Sequence, residues 1–259
     1  MITINNYVKA ESLEQAYELN QKRANRVLGG MMWMRLSKGR VQTAIDLSGL
    51  GLDTIEENEE EFSIGCMCTL RSLELHEGLN TYFRNALKES VRHIVGVQFR
   101  NGATVGGSVF GRFGFSDVLT LFLALDSYVE LYKGGIVPMR EFAHMERDND
   151  ILVRIIVKKD NRRVCYLTER ATATDFPVAA CAVSYVNGEW NVSVGARPMK
   201  AELVTEKAEL RCAEDAEAFA KKMADTFTYG TNMRGSKEYR KHLAEVLIKR
   251  AVNSLMEEC

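Results

Sequence analysis

The sequence predicts an α+β protein of three packed pieces, at roughly residues 1–55, 56–150 and 151–259. Three observations lead there. The first fifty residues or so read β-α-β-β. A long amphipathic segment then runs straight into "RNGATVGGSVFGRFGFSD", Arg100 to Asp117, which holds Gly102, Gly106, Gly107, Gly111 and Gly114. From Ile151 onward short strands succeed one another and two helices close the chain. With only three prolines and no Pro/Ser/Gly-rich tract to mark a flexible linker, the pieces are expected to pack on each other.

Ser12-Leu13-Glu14-Gln15 is a capping box, with Gln15 reaching back to the helix start. Leu13, Ala16, Tyr17 and Ala24 then follow a helical stripe, which puts the helix end near Asn25. Arg26 to Leu28 is a short β-like run that stops at Gly29-Gly30, and Val41 to Leu47 is the next candidate strand. Glu56 to Glu61 reads as an acidic loop and Phe62 to Cys68 as an alternating strand. Leu79, Tyr82, Phe83, Ala86, Leu87, Val91 and Ile94 mark one long amphipathic helix. Val118 to Leu125 is mostly apolar, and periodicity leaves helix and strand both open. Tyr128 to Tyr132 is a strand that precedes a Gly134-Gly135 turn. Ile151–Val157, Val164–Leu167, Ala179–Val186 and Trp190–Val194 read as strands. Asn187-Gly188 joins the last two with a type I′ hairpin signal. One closing helix spans about Glu214 to Thr228. The other starts near Ser236 and carries Tyr239, Leu243, Val246, Leu247 and Leu255 on one face.

Composition narrows the function classes. Apolar residues make up 46% and charged residues 27%, the balance of a soluble globular chain. A formal net charge of −1 removes the basic footprint that nucleic acid requires. No stretch approaches the ~18 apolar residues of a membrane span. The opening "MITINNYVKAESLEQ" lacks the charged and apolar regions of a secretory signal, so cytoplasm is the expected compartment. Cys66, Cys68, Cys165, Cys181, Cys212 and Cys259 form no CxxC pair, which makes reduced, packed thiols the expectation.

Most short catalytic fingerprints are missing. No G-x-G-x-x-G opens a helix after a strand, and neither HExxH nor GxSxG occurs. "GTNMRGSK", Gly230 to Lys237, places its lysine after the serine and has no strand before it, so it is not a P-loop. Two glycine sites remain: "VLGGMM", Val27 to Met32, and "GATVGGS", Gly102 to Ser108. Adjacent glycines let backbone approach a ligand, and free N–H groups in a turn form an anion-binding nest. Two such nests could hold one diphosphate between two subdomains. Two ordinary tight turns fit the same residues.

The order of segments carries a resemblance. "LGG" after the first β-α-β is followed by "IDLSGL", "IGCMCTL", "VGVQFRNGATVGGS", "SDVLTLFLALD" and "DILVRIIV". This series resembles the FAD-binding (medium) subunit of the molybdenum hydroxylases, the xanthine dehydrogenase and carbon monoxide dehydrogenase family. The ending "RGSKEYRKHLAEVLIKRAV" is similar to that family's C-terminal domain. The resemblance implies an FAD-binding fold of the vanillyl-alcohol-oxidase or PCMH-like type, in which two α/β subdomains cradle FAD. A C-terminal α+β domain of the CO dehydrogenase flavoprotein type follows. It further implies that Val27, Leu28, Gly29, Gly30, Met31, Met32 and Trp33 lie along the FAD diphosphate. Thr104, Val105, Gly106, Gly107 and Ser108 would meet the cofactor from the other side. Asp117 falls at the family's FAD-contacting aspartate, while Ile94 and Leu152 match hydrophobic cofactor contacts.

The chain departs from the family pattern in places. The usual "GGTD" is Gly29-Gly30-Met31-Met32 here, so a hydroxyl and a carboxylate are gone, although backbone N–H groups still serve a phosphate. The second loop ends in Ser108 where asparagine is usual. A lysine often found after the "DIL" strand has no clear match around Leu167 to Arg170. Arg112, Phe110, Phe113 and Phe115 read either as packing or as the flavin edge or a partner surface. The implied function is electron transfer: a small [2Fe-2S] subunit and a large molybdopterin subunit as partners, and NAD+ or another acceptor taking electrons from FAD. No side chain is then needed as acid or base, and no metal site is expected in this chain. A stand-alone FAD oxidoreductase, or a scaffold that has lost FAD, are the alternatives.

Overall fold

A computed structural model describes residues 1–257, so Cys259 lies outside the described residues. The capping serine does start a helix: the Gln15 N–H donates to Ser12 Oγ at 3.1 Å, and the Glu11 N–H donates to Gln15 Oε1 at 2.8 Å. That helix, α1 (Leu13–Asn20), follows strand β1 (Ile2–Lys9) and stops short of Asn25. The Asn25 side chain turns back instead and donates to the Leu19 carbonyl at 2.7 Å. β2 (Arg26–Leu28) and β1 both run parallel to β3 (Gly39–Asp46), giving a three-stranded sheet in the order β1-β3-β2. Parallel pairing needs crossovers: α1 carries the chain from β1 to β2, and a short 3-10 turn (Met34–Leu36) lies between β2 and β3.

The second piece contains β4 (Ile55–Glu57), β5 (Glu61–Gly65), α2 (Leu70–Leu75), α3 (Glu77–Tyr82), α4 (Ala86–Val91), α5 (Val97–Arg100), α6 (Val105–Phe110) and α7 (Asp117–Ala124). It continues with β6 (Ser127–Leu131), β7 (Gly135–Pro138), α8 (Met139–Phe142) and β8 (Leu152–Lys158). Its sheet is antiparallel, in the order β4-β5-β8-β6-β7. β8 is therefore the central strand of this sheet, although the sequence reading groups it with the third piece. It is buried along most of its length, and such a strand shows no alternation that reports its partners.

The single helix expected from Leu79 to Ile94 is broken in two. Arg84 and Asn85 adopt φ of 50° and 64°, left-handed values that an α-helix cannot contain. The apolar stripe survives the break because Leu79, Phe83, Ala86, Leu87 and Val91 all enter one core. Val118 to Leu125, open between helix and strand, is helical. Ser116 caps α7 by accepting from the Leu119 N–H at 3.1 Å, and every residue of the helix is buried. The strand expected to reach Cys68 ends at Gly65.

Strands β9 (Arg163–Arg170), β10 (Pro177–Val186), β11 (Glu189–Gly195) and β12 (Glu202–Lys207) form an antiparallel meander. Asn187 and Gly188 turn the β10–β11 hairpin with φ of 49° and 82°, the two positive values a type I′ turn requires. α9 (Ala213–Thr226) and α10 (Lys237–Glu257) pack on this sheet. α10 buries Arg240, Ala244, Leu247, Ile248, Ala251, Val252 and Leu255. That face is rotated from the expected one and leaves Tyr239 exposed. Arg240 takes the core position because its guanidinium donates to the Val178 and Ala196 carbonyls and to Asn232 Oδ1. Cys66, Cys68 and Cys181 are buried thiols, whereas Cys212 is exposed and so departs from the packed expectation. Among the described residues no helix is long and apolar enough to cross a membrane.

Candidate functional site

The N-terminal sheet, the second sheet with its helices and the β9–β10 connection converge on two chambers, with volumes of about 510 and about 430 Å³. Val27, Gly29, Thr104, Gly107, Phe110 and Gly111 border both, so these residues form a neck between them. The larger chamber is aromatic. Trp33 stacks on Phe176 with ring centroids 5.3 Å apart, and meets Phe99 at 5.6 Å and Phe115 at 6.1 Å edge-on. The smaller chamber is edged by Arg23, Arg26, Arg147 and Asp148 and floored by Cys66 and Leu152.

At the neck the two glycine loops touch. A Cβ on Gly30 would lie 1.4 Å from the Gly102 carbonyl oxygen, and one on Gly29 would lie 2.8 Å from Thr104 Oγ1. Side chains are excluded there by close contact, with backbone at Gly30 and with the Thr104 hydroxyl at Gly29, rather than by conformation. Gly106 is likewise close-packed, with a built Cβ 2.6 Å from the Cys66 carbonyl oxygen. Gly107 differs: its Cβ would meet only Thr104 Oγ1, at 3.1 Å, and otherwise faces the open neck.

The loops also differ in their hydrogen bonds. From Gly30 to Trp33 no backbone N–H donates to a protein acceptor among the described residues, and Met31 is held at φ 58°. In the second loop the N–H groups after Thr104 are engaged. Val105 donates to the Cys68 carbonyl (2.8 Å), Gly106 to the Cys66 carbonyl (2.9 Å), Gly107 to Thr104 Oγ1 (3.2 Å) and Ser108 to the Thr104 carbonyl (3.1 Å). Thr104 is the N-cap of α6, which makes the expected second nest a helix start. Of the two readings the glycine sites left open, the second loop fits a turn that starts a helix, while the first keeps a row of free N–H groups. A row of unengaged N–H groups beside an open glycine face fits a diphosphate that needs donors and close approach.

The other expected residues fall as follows. Met31, Met32, Trp33, Ile94, Ser108 and Asp117 line the aromatic chamber, and Leu28, Gly106 and Leu152 line the smaller one. Val105 lines neither; its side chain is fully buried in the core. Asp117 is buried at the seam with the third sheet. Its Oδ1 accepts from Tyr166 Oη at 2.5 Å and from Arg170 Nη2 at 2.6 Å. Burial pushes the Asp117 carboxyl up, while the Arg170 guanidinium and the Tyr166 hydroxyl pull it back. Cys66, against the smaller chamber, has its thiol pushed up to about 12 by burial and by Cys68, so it stays protonated.

Sequence reasoning missed the contribution of the third piece. Arg170 and the segment Thr174–Pro177 line the aromatic chamber. The sequence shows Arg170 only as a cation at the end of a strand, with nothing to pair it with Asp117 across 53 positions. Arg100, which leads into the second loop, was missed as well. Its Nε and Nη2 donate to Glu74 at 2.8 and 3.1 Å in a buried pair, and Nη1 donates to the Ile94 carbonyl at 3.3 Å.

Residues 2–159 match the family model described as the FAD binding domain in molybdopterin dehydrogenase. A relative in Escherichia coli K12, the uncharacterized protein YgfM, is 23% identical over 252 residues, covering 95% of this chain and 94% of the relative. Among solved structures, a chain of the carbon monoxide dehydrogenase of Hydrogenophaga pseudoflava lacking the Mo-pyranopterin moiety superposes with a TM-score of 0.85 at 21% identity, covering 98% of both chains. A chain of quinoline 2-oxidoreductase from Pseudomonas putida 86 gives a TM-score of 0.81 at 16% identity, covering 100% of this chain and 98% of that one. A chain of the reconstituted CO dehydrogenase from Oligotropha carboxidovorans gives 0.80 at 22%, covering 97% and 96%.

Proposed function

The chain belongs to the family of the FAD binding domain in molybdopterin dehydrogenase, it binds FAD, and we propose that the cofactor bridges the two chambers across the glycine neck. The observation that carries this reading is the neck itself, where Gly29, Thr104 and Gly107 border both chambers beside the unengaged N–H groups of Gly30 to Trp33. Those N–H groups would hold the diphosphate. The missing threonine and aspartate side chains, replaced by Met31 and Met32, leave that task to backbone. Gly107 gives the close approach, and Gly29, Gly30 and Gly106 hold the loops at the required separation. Val27, Leu28, Ile94, Thr104, Ser108, Met32, Trp33 and Leu152 supply walls for the two ring systems. Val105 anchors the second loop from the core side, and Asp117 fixes Arg170 in the chamber wall.

The chain acts as the FAD-binding electron-transfer subunit of a molybdenum hydroxylase-type complex. Bound FAD would supply the redox chemistry, collecting electrons from [2Fe-2S] clusters and passing them as a pair to NAD+ or another acceptor. This chain's residues bind and orient the cofactor, and the aromatic chamber offers it an apolar wall. A small iron–sulfur subunit and a large molybdopterin subunit are the proposed partners, by analogy with carbon monoxide dehydrogenase and quinoline 2-oxidoreductase. Native purification with identification of bound flavin and co-eluting subunits tests the reading. Recovery of FAD with both partners is expected, and recovery of neither would overturn it.

A further inference from the structure

Arg112 carries a charge that its surroundings leave without a hydrogen-bonded counterion. The residue is 2% exposed, and both Nη atoms are buried without a hydrogen-bond partner among the described residues. Nε donates to the Phe142 carbonyl at 2.8 Å. The guanidinium carbon lies 3.9 Å from the centroid of the Phe142 ring and 5.3 Å from that of Phe110. The backbone is held at φ 45°, left-handed for a residue with a Cβ. Burying an unpaired charge and straining the backbone are both unfavourable, and a guanidinium does not escape by losing its proton. Strain of this kind concentrates where function requires a group to be held.

The position of the charge gives the reason. Phe110 and Gly111, the residues just before Arg112, line both chambers. The guanidinium therefore sits one aromatic ring behind the wall of the cofactor site, whichever chamber takes the flavin. Two charged neighbours act on it, Asp148 and Arg147. Both are exposed and of opposite sign, so solvent screens them and they partly offset each other. Two electrons and one proton, the electrons drawn from iron–sulfur clusters, turn the neutral oxidised flavin ring into a reduced ring with one negative charge. A buried cation stabilises that charge and has no comparable effect on the oxidised ring.

We propose that Arg112 is a positioning charge of the flavin site, which acts through the Phe110 wall to favour the reduced flavin and raise its midpoint potential. This rests on FAD occupying the chambers. The test is a redox titration of the full chain loaded with FAD, with oxidised-FAD affinity and thermal unfolding measured alongside. Arg112→Met should lower the potential. The ratio of reduced to oxidised flavin at a fixed ambient potential should fall at least tenfold, which is about 30 mV for a two-electron couple. Arg112→Lys keeps the charge and should return most of that loss. A wild-type potential in FAD-loaded Arg112→Met would overturn the proposal. Should Arg112→Met fold poorly or lose FAD, Arg112→Gln, which is neutral but keeps a side-chain donor near the Phe142 carbonyl, decides, and a wild-type potential there overturns it. A wild-type chain that binds no FAD overturns the proposed FAD placement and this proposal together.

Discussion

The two glycine loops look alike in sequence and do opposite work. Gly29-Gly30 belongs to a segment whose following N–H groups find no protein acceptor, while Gly106-Gly107 sits in a helix start whose N–H groups from Val105 to Ser108 are engaged. The first loop is a donor surface. The second is a rigid counter-wall, fixed by Cys66, Cys68 and Thr104, that leaves one open face at Gly107. A paired glycine therefore marks close approach, but which group approaches depends on whether the local N–H groups are already used.

The largest effect should come from closing the contact between the loops. Gly30→Ala drives a methyl group into the Gly102 backbone carbonyl, which has little room to move. The cost should reach or exceed the top of the roughly 1–3 kcal/mol seen for overpacked cores, with FAD retention lost. Denaturant unfolding and flavin fluorescence read both. Next is the support of the counter-wall. Glu74→Gln leaves Arg100 buried without its carboxylate, and unfolding should show a loss of about 3 kcal/mol. Burial pushes the Glu74 carboxyl up, but hydrogen bonds from Arg100 and Arg71 outweigh it and hold the pKa below the usual glutamate value. The stabilisation is therefore present above the unfolded glutamate pKa of about 4.3 and is lost as pH falls through the lower folded value. An acid titration of unfolding midpoints should show that loss in wild type and not in Glu74→Gln.

Gly107→Val separates the two roles most cleanly. Its side chain enters the open neck, and valine suits a helix slightly better than glycine. Stability should stay within about 1 kcal/mol of wild type, while FAD affinity falls by about 100-fold or more, or about 2.8 kcal/mol. Unchanged affinity in a calorimetric titration would remove the second loop from the cofactor. The smallest effect belongs to Met31→Gly. It relieves a left-handed φ but adds unfolded-state freedom, so the net change in stability should stay below about 1 kcal/mol.

Local signals were legible where they act alone. The Ser12 cap, the Asn187-Gly188 hairpin and the amphipathic face through Leu87 could be read directly, as could the two glycine sites. Signals that depend on a partner were not. The break at Arg84-Asn85 does not interrupt the apolar stripe, so the sequence shows one helix where two form. β8 reads as a strand but does not reveal which sheet it joins. Asp117 and Arg170 meet across 53 positions, and the third piece enters the site through that long-range pair. Arg240 lies on the buried face because carbonyls of β10 and of the residue just past β11 meet it there.

Amide hydrogen exchange of the full chain, with and without FAD, tests the division between the loops most directly. The account predicts that Gly30 to Trp33 exchange readily without FAD and are strongly protected when it is added, whereas Val105 to Ser108 are protected in both states. Exchange at Gly30 to Trp33 that FAD leaves unchanged, or protection that appears only at Val105 to Ser108, would contradict it.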